Sequence, residues 1–287
     1  MRRNIKITAA AAATTALALA LSACGTDSDP ASSSDDAGDA DKPLVVAASP
    51  TPHGDILNYV SKELAPKEGV KVEVKEFTDY VLPNTATESG QVEANFFQHK
   101  PYLDDFNKKQ GTHLVGVTGV HLEPLGLFSE DLKDLEDLKS GQTVAVPNDT
   151  TNEGRALQLL ADNDLITLKP GAGADASLSD IKDAKGLKFK ELEAATLPRA
   201  LGDVDAAVIN GNYAIEADLK PATDALALEK AEGNPYANLL VVKKGDEDDP
   251  RVKKLARILN SDEVKKYIED TYDDGAILPA FGPVKSS

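Results

Sequence analysis

Leu44-Val45-Val46-Ala47-Ala48 is an unbroken apolar run, and its continuity predicts a strand buried on both faces. Ile56, Leu57, Val60 and Leu64 then recur at helical spacing. Val70, Val72 and Val74 alternate with Lys71, Glu73 and Lys75, so a second strand follows the helix. A strand, a helix and a strand in succession make a βαβ unit, whose strands pair in parallel. The pattern continues with a helix over Pro101 to Lys109 and an extended stretch from Leu114 to Val120. Thr143 to Val146 reads as a strand broken by Pro147, and Asn152 to Ala161 as a helix with Ala156, Leu159 and Leu160 on one face. Leu187 to Leu192 alternates, while Ala206 to Ile209 and Leu239 to Val242 are short buried strands. Asp249-Pro250 is a cap followed by proline at the first helical position, and two helices fill Arg251 to Tyr272. Repeated strand–helix alternation predicts an α/β protein with parallel sheets, and the periodicity leaves open whether there is one sheet or two.

The pattern upstream is different. Arg2, Arg3 and Lys6 precede an apolar run from Ile7 to Leu21, which ends in Leu21-Ser22-Ala23-Cys24. A basic start, a short apolar segment and small residues before a cut form a secretory signal over residues 1–23. The run is short of the ~20 apolar residues a membrane-spanning helix needs. Leu-Ser-Ala-Cys resembles the bacterial lipobox, which implies lipidation of Cys24 and an anchor on the outer face of the cell membrane. Cys24 is the only cysteine, so an intramolecular disulfide is excluded. A diacylglyceryl group with an amide-linked chain supplies the two-signal anchoring that one acyl chain lacks. Residues 24–42 then read as the lipidated cysteine and an acidic tether. Gly25 to Lys42 holds six Asp and no large apolar side chain. Such a segment cannot build a core and has a reach of roughly 23 Å before charge repulsion extends it.

Composition narrows the function. The chain has 287 residues, 48 Asp+Glu against 31 Lys+Arg, and a formal charge of −17. A nucleic-acid binder needs a basic footprint, so that class is excluded. The chain carries no GxGxxG after a strand, no Walker A pattern and no GxSxG elbow. No resident cofactor is implied. The histidines His53, His99, His113 and His121 lack local ligand spacing such as HExxH. A metal-binding importer lipoprotein using His53, His99 and His121 is the alternative reading, and a lipid-anchored hydrolase without a recognisable nucleophile is a third.

Seven motifs in order carry a resemblance. They are Thr51-Pro52-His53, FTDYVLPN at 77–84, ANFFQHKPYL at 94–103, HLEPLG at 121–126, PNDTTNEGRAL at 147–157, VINGNYA at 208–214 and Tyr236-Ala237-Asn238-Leu239. Together they resemble the NlpA family of lipoproteins, and within it the methionine-binding branch, over Pro43 to about Phe281. The resemblance implies no enzyme but a substrate-binding protein of an ABC importer. Its fold would be two-lobed and periplasmic-binding-protein-like (type II), with two extended crossovers and the ligand in the cleft. Lobe 1 would be residues 43–121 plus 236–287, and lobe 2 residues 122–235. The implied partners are L-methionine (or D-methionine, or a methionine-containing dipeptide) and a membrane permease with its cytoplasmic ATPase.

The resemblance also implies the site. Tyr80, Phe97, His99 and Tyr102 would form an aromatic wall, and Arg155, Asn210 and Asn238 the polar anchors. The chemistry of these side chains agrees. A guanidinium fork suits a carboxylate, and asparagine accepts from an ammonium or donates to a carboxylate without burying a further charge. Aromatic edges stabilise a thioether by ~0.3–1.5 kcal/mol per contact. Arg155 is expected in the first turn of its helix, where unpaired amides add to anion binding. Phe96 competes with Phe97 for the cleft, because strand neighbours face opposite ways. Asn152 is expected either to cap the helix or to touch ligand.

Overall fold

The computed structural model describes residues 42–284. The signal segment, Cys24 and nearly all of the acidic tether lie outside the described residues. The strands in chain order are β1 (Leu44–Ala48), β2 (Val72–Glu76), β3 (Ala94–His99), β4 (Leu114–Leu122), β5 (Gly126–Phe128), β6 (Thr143–Pro147), β7 (Thr167–Leu168), β8 (Ile181–Asp183), β9 (Lys188–Leu192), β10 (Ala206–Ile209), β11 (Ala227–Leu228), β12 (Asn238–Lys243) and β13 (Leu278–Gly282). The α-helices are α1 (Asp55–Tyr59), α2 (Leu82–Glu88), α3 (Lys100–Gln110), α4 (Thr150–Asp162), α5 (Leu197–Ala200), α6 (Gly211–Glu216), α7 (Pro221–Asp224), α8 (Pro250–Leu259) and α9 (Asp262–Thr271).

There are two principal sheets, which answers what periodicity left open. The first has six strands in the order β13-β4-β12-β3-β1-β2, and the second has five in the order β11-β5-β10-β6-β9. The predicted βαβ unit is present: β1 pairs in parallel with β2, Leu44 opposite Val72. The expectation of parallel sheets needs correcting, because both sheets are mixed. β12 runs antiparallel between β3 and β4, and β5 runs antiparallel to β10. The reason is topological. The chain leaves the first sheet at the end of β4, builds the second, and returns as β12 from the opposite direction.

Side-chain alternation explains why β1 is apolar throughout. Leu44, Val46 and Ala48 pack into the main core with Leu57, Leu255 and Ile268, while Ala47 faces the other way onto Ala86 and Val92. Burying each large aliphatic side chain there contributes ~1.5–3 kcal/mol. β6 does the same in the second sheet: Val144 and Val146 pack on Leu157 and Leu160 of α4, and Ala145 on Leu197 and Ile209. The helix ends follow local chemistry. The Asp249 side chain accepts from the backbone N–H of Arg251 and starts α8 behind Pro250, as the sequence predicts.

Two crossings join the sheets. Residues 123–125 lead from β4 to β5, and residues 229–237 lead back from β11 to β12. They are tied to each other. The Leu125 N–H donates to the Glu229 carboxylate at 3.2 Å, and the Glu229 N–H donates to the Leu125 carbonyl at 2.9 Å.

Candidate functional site

A cavity lies where the two sheets face each other across these crossings. Its lining includes all seven residues expected at the ligand: Tyr80, Phe97, His99, Tyr102, Arg155, Asn210 and Asn238. Gln98, Glu123, Asn152 and Gly211 complete it.

The first sheet supplies rings. β3 is buried along its whole length, so its two faces sort its two phenylalanines. Phe96 is fully buried in the main core, and Phe97 packs with Tyr80, Tyr102 and Phe106 on the cavity side. Tyr80, Phe97 and Tyr102 sit with ring centroids 5.8–6.0 Å apart, within the range of favourable tilted and edge contacts. The Tyr102 hydroxyl donates to the Tyr80 carbonyl at 2.9 Å, which holds the group together. The Tyr80 hydroxyl reaches across to the second sheet and donates to Asn212 Oδ1 at 2.5 Å. Burial raises the Tyr80 pKa well above its ordinary value, so the phenol stays a donor.

His99 caps α3 and spans the cleft. Its Nδ1 accepts from the Tyr102 N–H at 3.2 Å, so Nε2 carries the proton and donates to Asn152 Oδ1 at 3.2 Å. Burial, aided by the charge of Arg155, lowers its pKa to about 3, and the ring is neutral.

The second sheet supplies polar groups through α4 and the start of α6. Asp149, rather than Asn152, caps α4: it accepts from the Asn152 N–H at 3.0 Å and also holds the Asn152 Nδ2. Asn152 Oδ1 in turn accepts from His99 and from Asn210 Nδ2 at 3.1 Å, so Asn152 lines the cavity with its polar atoms already committed. The carboxylate of Asp149 occupies the helix N-terminus, and Arg155 lies a turn further in. The expected help from first-turn amides is therefore absent.

Arg155 is 4% exposed and lines the cavity. Its fork is not open as expected, because Nε and Nη2 donate to the two oxygens of Glu229 at 2.8 and 2.5 Å. Nη2 also donates to the Glu123 carbonyl at 2.8 Å, and the guanidinium stacks 4.3 Å over the Tyr236 ring. Burial opposes the charge, but the pairing with Glu229 outweighs it and holds the pKa above its ordinary value. Nη1 is the remaining donor nitrogen.

Asn210 offers the converse. Its Nδ2 is used by Asn152, but its Oδ1 is buried without a hydrogen-bond partner among the described residues. A buried acceptor in that state is costly unless something donates to it. Gly211 follows because the chain passes very close to the first crossing: a Cβ there would stand 2.8 Å from Glu123 Cβ.

Asn238 opens β12, and its Oδ1 lies 3.1 Å from His53 Nε2. His53 Nε2 and His121 Nε2 both approach Glu123 Oε1, at 3.2 and 2.7 Å. Among the described residues this trio, and not His53 with His99 and His121, is what comes together as possible metal ligands. His99 is spent on capping α3 and on Asn152. A metal-bound imidazole normally donates its other N–H to a partner, yet Nδ1 of both His53 and His121 is buried and unpartnered. Burial lowers the two pKa values to about 4 and about 3, so both rings are neutral. The trio fits a hydrogen-bonded cluster better than a metal centre.

Sequence reasoning missed Glu123, Glu229 and Tyr236 as site residues. Glu123 and Tyr236 lie inside quoted motifs, where a buried carboxylate and an arginine-stacking ring were available signals. Glu229 has no such signal, because nothing local to it shows that residue 155 lies opposite.

The family model for the NlpA lipoprotein matches residues 44–281. The methionine-binding lipoprotein MetQ of Bacillus subtilis is 41% identical over 243 residues, covering 83% of this chain and 88% of that one. The D-methionine-binding lipoprotein MetQ of Escherichia coli is 42% identical over 225 residues, covering 77% and 83%. Among solved structures, a nutrient-binding protein from Burkholderia cenocepacia bound to methionine superposes with a TM-score of 0.80 at 45% identity, covering 83% of this chain and all of that one. The matched span, the fold and the order of motifs agree, and the chain belongs to the NlpA lipoprotein family.

Proposed function

We propose that this protein captures methionine outside the cytoplasm and delivers it to an ABC permease. One observation carries the reading. Among the described residues the cavity presents a buried acceptor without a partner, Asn210 Oδ1, and two donor nitrogens outside the hydrogen-bond network, Arg155 Nη1 and Asn238 Nδ2, beside a wall of three rings. A zwitterion with an apolar, polarizable side chain complements all three features. Tyr80, Phe97 and Tyr102 take the thioether, Arg155 the carboxylate and Asn210 the ammonium, with His99 and Asn238 fixing the frame around them. The methionine in the Burkholderia structure and the methionine named for the other two relatives support the assignment.

Capture proceeds by hinge closure. Residues 43–121 with 236–287 act as one lobe and residues 122–235 as the other. A ligand contacting both lobes binds the closed form better and shifts the population toward it. The closed form docks on the permease, whose ATPase supplies the energy. Cys24 carries the lipid that keeps the protein at the outer face of the membrane. None of the described helices is long and apolar enough to cross it.

Calorimetric titration of the detergent-solubilised full chain, freed of co-purified ligand, tests the reading. Heat with L-methionine, D-methionine or a methionine dipeptide is expected; silence with all three refutes it. Cys24→Ser should release the protein from the membrane fraction.

A further inference from the structure

Two charged side chains line the cavity, Arg155 and Glu123, and they are not in the same electrostatic state. The charge of Arg155 is already matched by Glu229, which grips two of its nitrogens from outside the cavity. Glu123 is 6% exposed and has no matching cation. Among the described residues its ion-pair contacts are His53 and His121 alone, and both rings are neutral. His53 Nε2 lies between two acceptors, Glu123 Oε1 and Asn238 Oδ1, and so carries a proton that points at them. The Asn212 N–H, at the start of α6, donates to Glu123 Oε2 at 2.9 Å. Burial raises the Glu123 pKa, and the His53 and Asn212 contacts, with the nearby charge of Arg155, offset part of that rise, so the donors around it suit an ionised carboxylate. The sum over Arg155, Glu229 and Glu123 leaves one uncompensated negative charge. It stands at the cavity wall, close to where Gly211 adjoins the unpartnered Asn210 Oδ1.

We infer that Glu123 is the counter-charge for the ligand's ammonium, so that the site selects for a primary ammonium and treats the carboxylate as the lesser anchor. This deepens the methionine reading and rests on it. The ligand class follows from charge. A zwitterion leaves the site with its one negative charge, whereas a cation lacking the carboxylate neutralises it. An anion lacking the ammonium adds a second negative charge beside Glu123. Bringing like charges together in a buried site is costly, and pairing opposite ones is favourable.

Two half-ligands, each smaller than methionine, separate the alternatives without steric conflict. The first is 3-(methylthio)propylamine, which keeps the ammonium and lacks the carboxylate; the second is 4-(methylthio)butanoate, which keeps the carboxylate and lacks the ammonium. In calorimetric titrations of the full chain at pH 7.5, the amine is expected to bind about 10- to 100-fold more tightly than the acid. Glu123→Gln should weaken the amine and leave the acid unchanged or improved. Glu229→Gln, which frees the Arg155 fork without touching Glu123, should strengthen the acid and narrow the amine's advantage without abolishing amine binding; it also serves if Glu123→Gln fails to fold. Tighter binding of the acid in the unmodified protein overturns the inference. So does an unaltered ranking in folded Glu123→Gln, or no gain for the acid in Glu229→Gln. L-methionine is titrated alongside: if it binds while the ranking is reversed, this inference fails and the methionine reading stands. If it gives no heat, the methionine reading itself fails.

Discussion

Glu123 on the outgoing crossing lines the cavity, Glu229 on the return crossing stands just behind it, and the two are treated differently. Glu229, on the return crossing, meets a guanidinium in a two-point pair and is 15% exposed at its side chain. Glu123, on the outgoing crossing, is more deeply buried and meets two uncharged imidazoles and a backbone amide. The first arrangement is a finished ion pair that fixes an arginine in place. The second is an unfinished one that still attracts positive charge. Carboxylates on the two crossings thus divide into a structural one and a receptive one according to whether their partners carry charge.

Acid should break this contrast most strongly. His53, His99 and His121 are neutral in the fold, with pKa values lowered from 6.5 to about 4, 3 and 3. Their contribution to stability is complete above about pH 6.5 and is lost as pH falls toward the folded values, because the unfolded chain takes up protons first. Each ring alone accounts for about 2 kcal/mol at pH 5. Urea unfolding at pH 7.5 and pH 5 should show a loss of several kcal/mol, and an acid-insensitive midpoint would contradict the neutral rings.

Next in size is Arg155→Ala. It strands Glu229 in a largely buried position, so stability should fall by about 3–5 kcal/mol, and methionine binding should weaken through loss of the carboxylate's partner. Adding Glu229→Gln should recover part of the stability, read by urea unfolding, without recovering binding, read by calorimetry. Recovery of both would mean that Arg155 only neutralises Glu229.

The neighbouring phenylalanines sharpen the other side of the cavity. Phe96→Ala and Phe97→Ala should each cost about 3–5 kcal/mol in stability, since both rings are buried. Calorimetry on the folded fraction should separate them: methionine affinity drops for Phe97→Ala and holds for Phe96→Ala. The smallest change is Tyr102→Phe, which removes only the bond to the Tyr80 carbonyl. A loss of about 0.5–1.5 kcal/mol is expected, and a much larger one would show the Tyr102 hydroxyl to be a direct ligand contact.

Much of this protein could be read along the chain. The apolar run at 44–48, the alternation at 70–74 and the Asp249-Pro250 start of α8 each express a local preference, and local preferences survive folding when packing agrees with them. The aromatic wall was legible through the family resemblance. Phe97, His99 and Tyr102 converge because β3 runs straight into α3, whereas Tyr80 sits in the bend before α2 and joins them only through the tertiary fold.

The chain alone could not decide the direction in which β12 returns, or which partners wait for Arg155 and Glu123. Residues 155 and 229 lie 74 positions apart, and the Glu123 side chain bonds an amide 89 positions away. No periodicity or spacing rule reports on such pairs. They are set when two separately built sheets are brought face to face, and only then does a fork that looks free in sequence prove half-occupied, and a glutamate that looks like surface become a buried charge awaiting its counterpart.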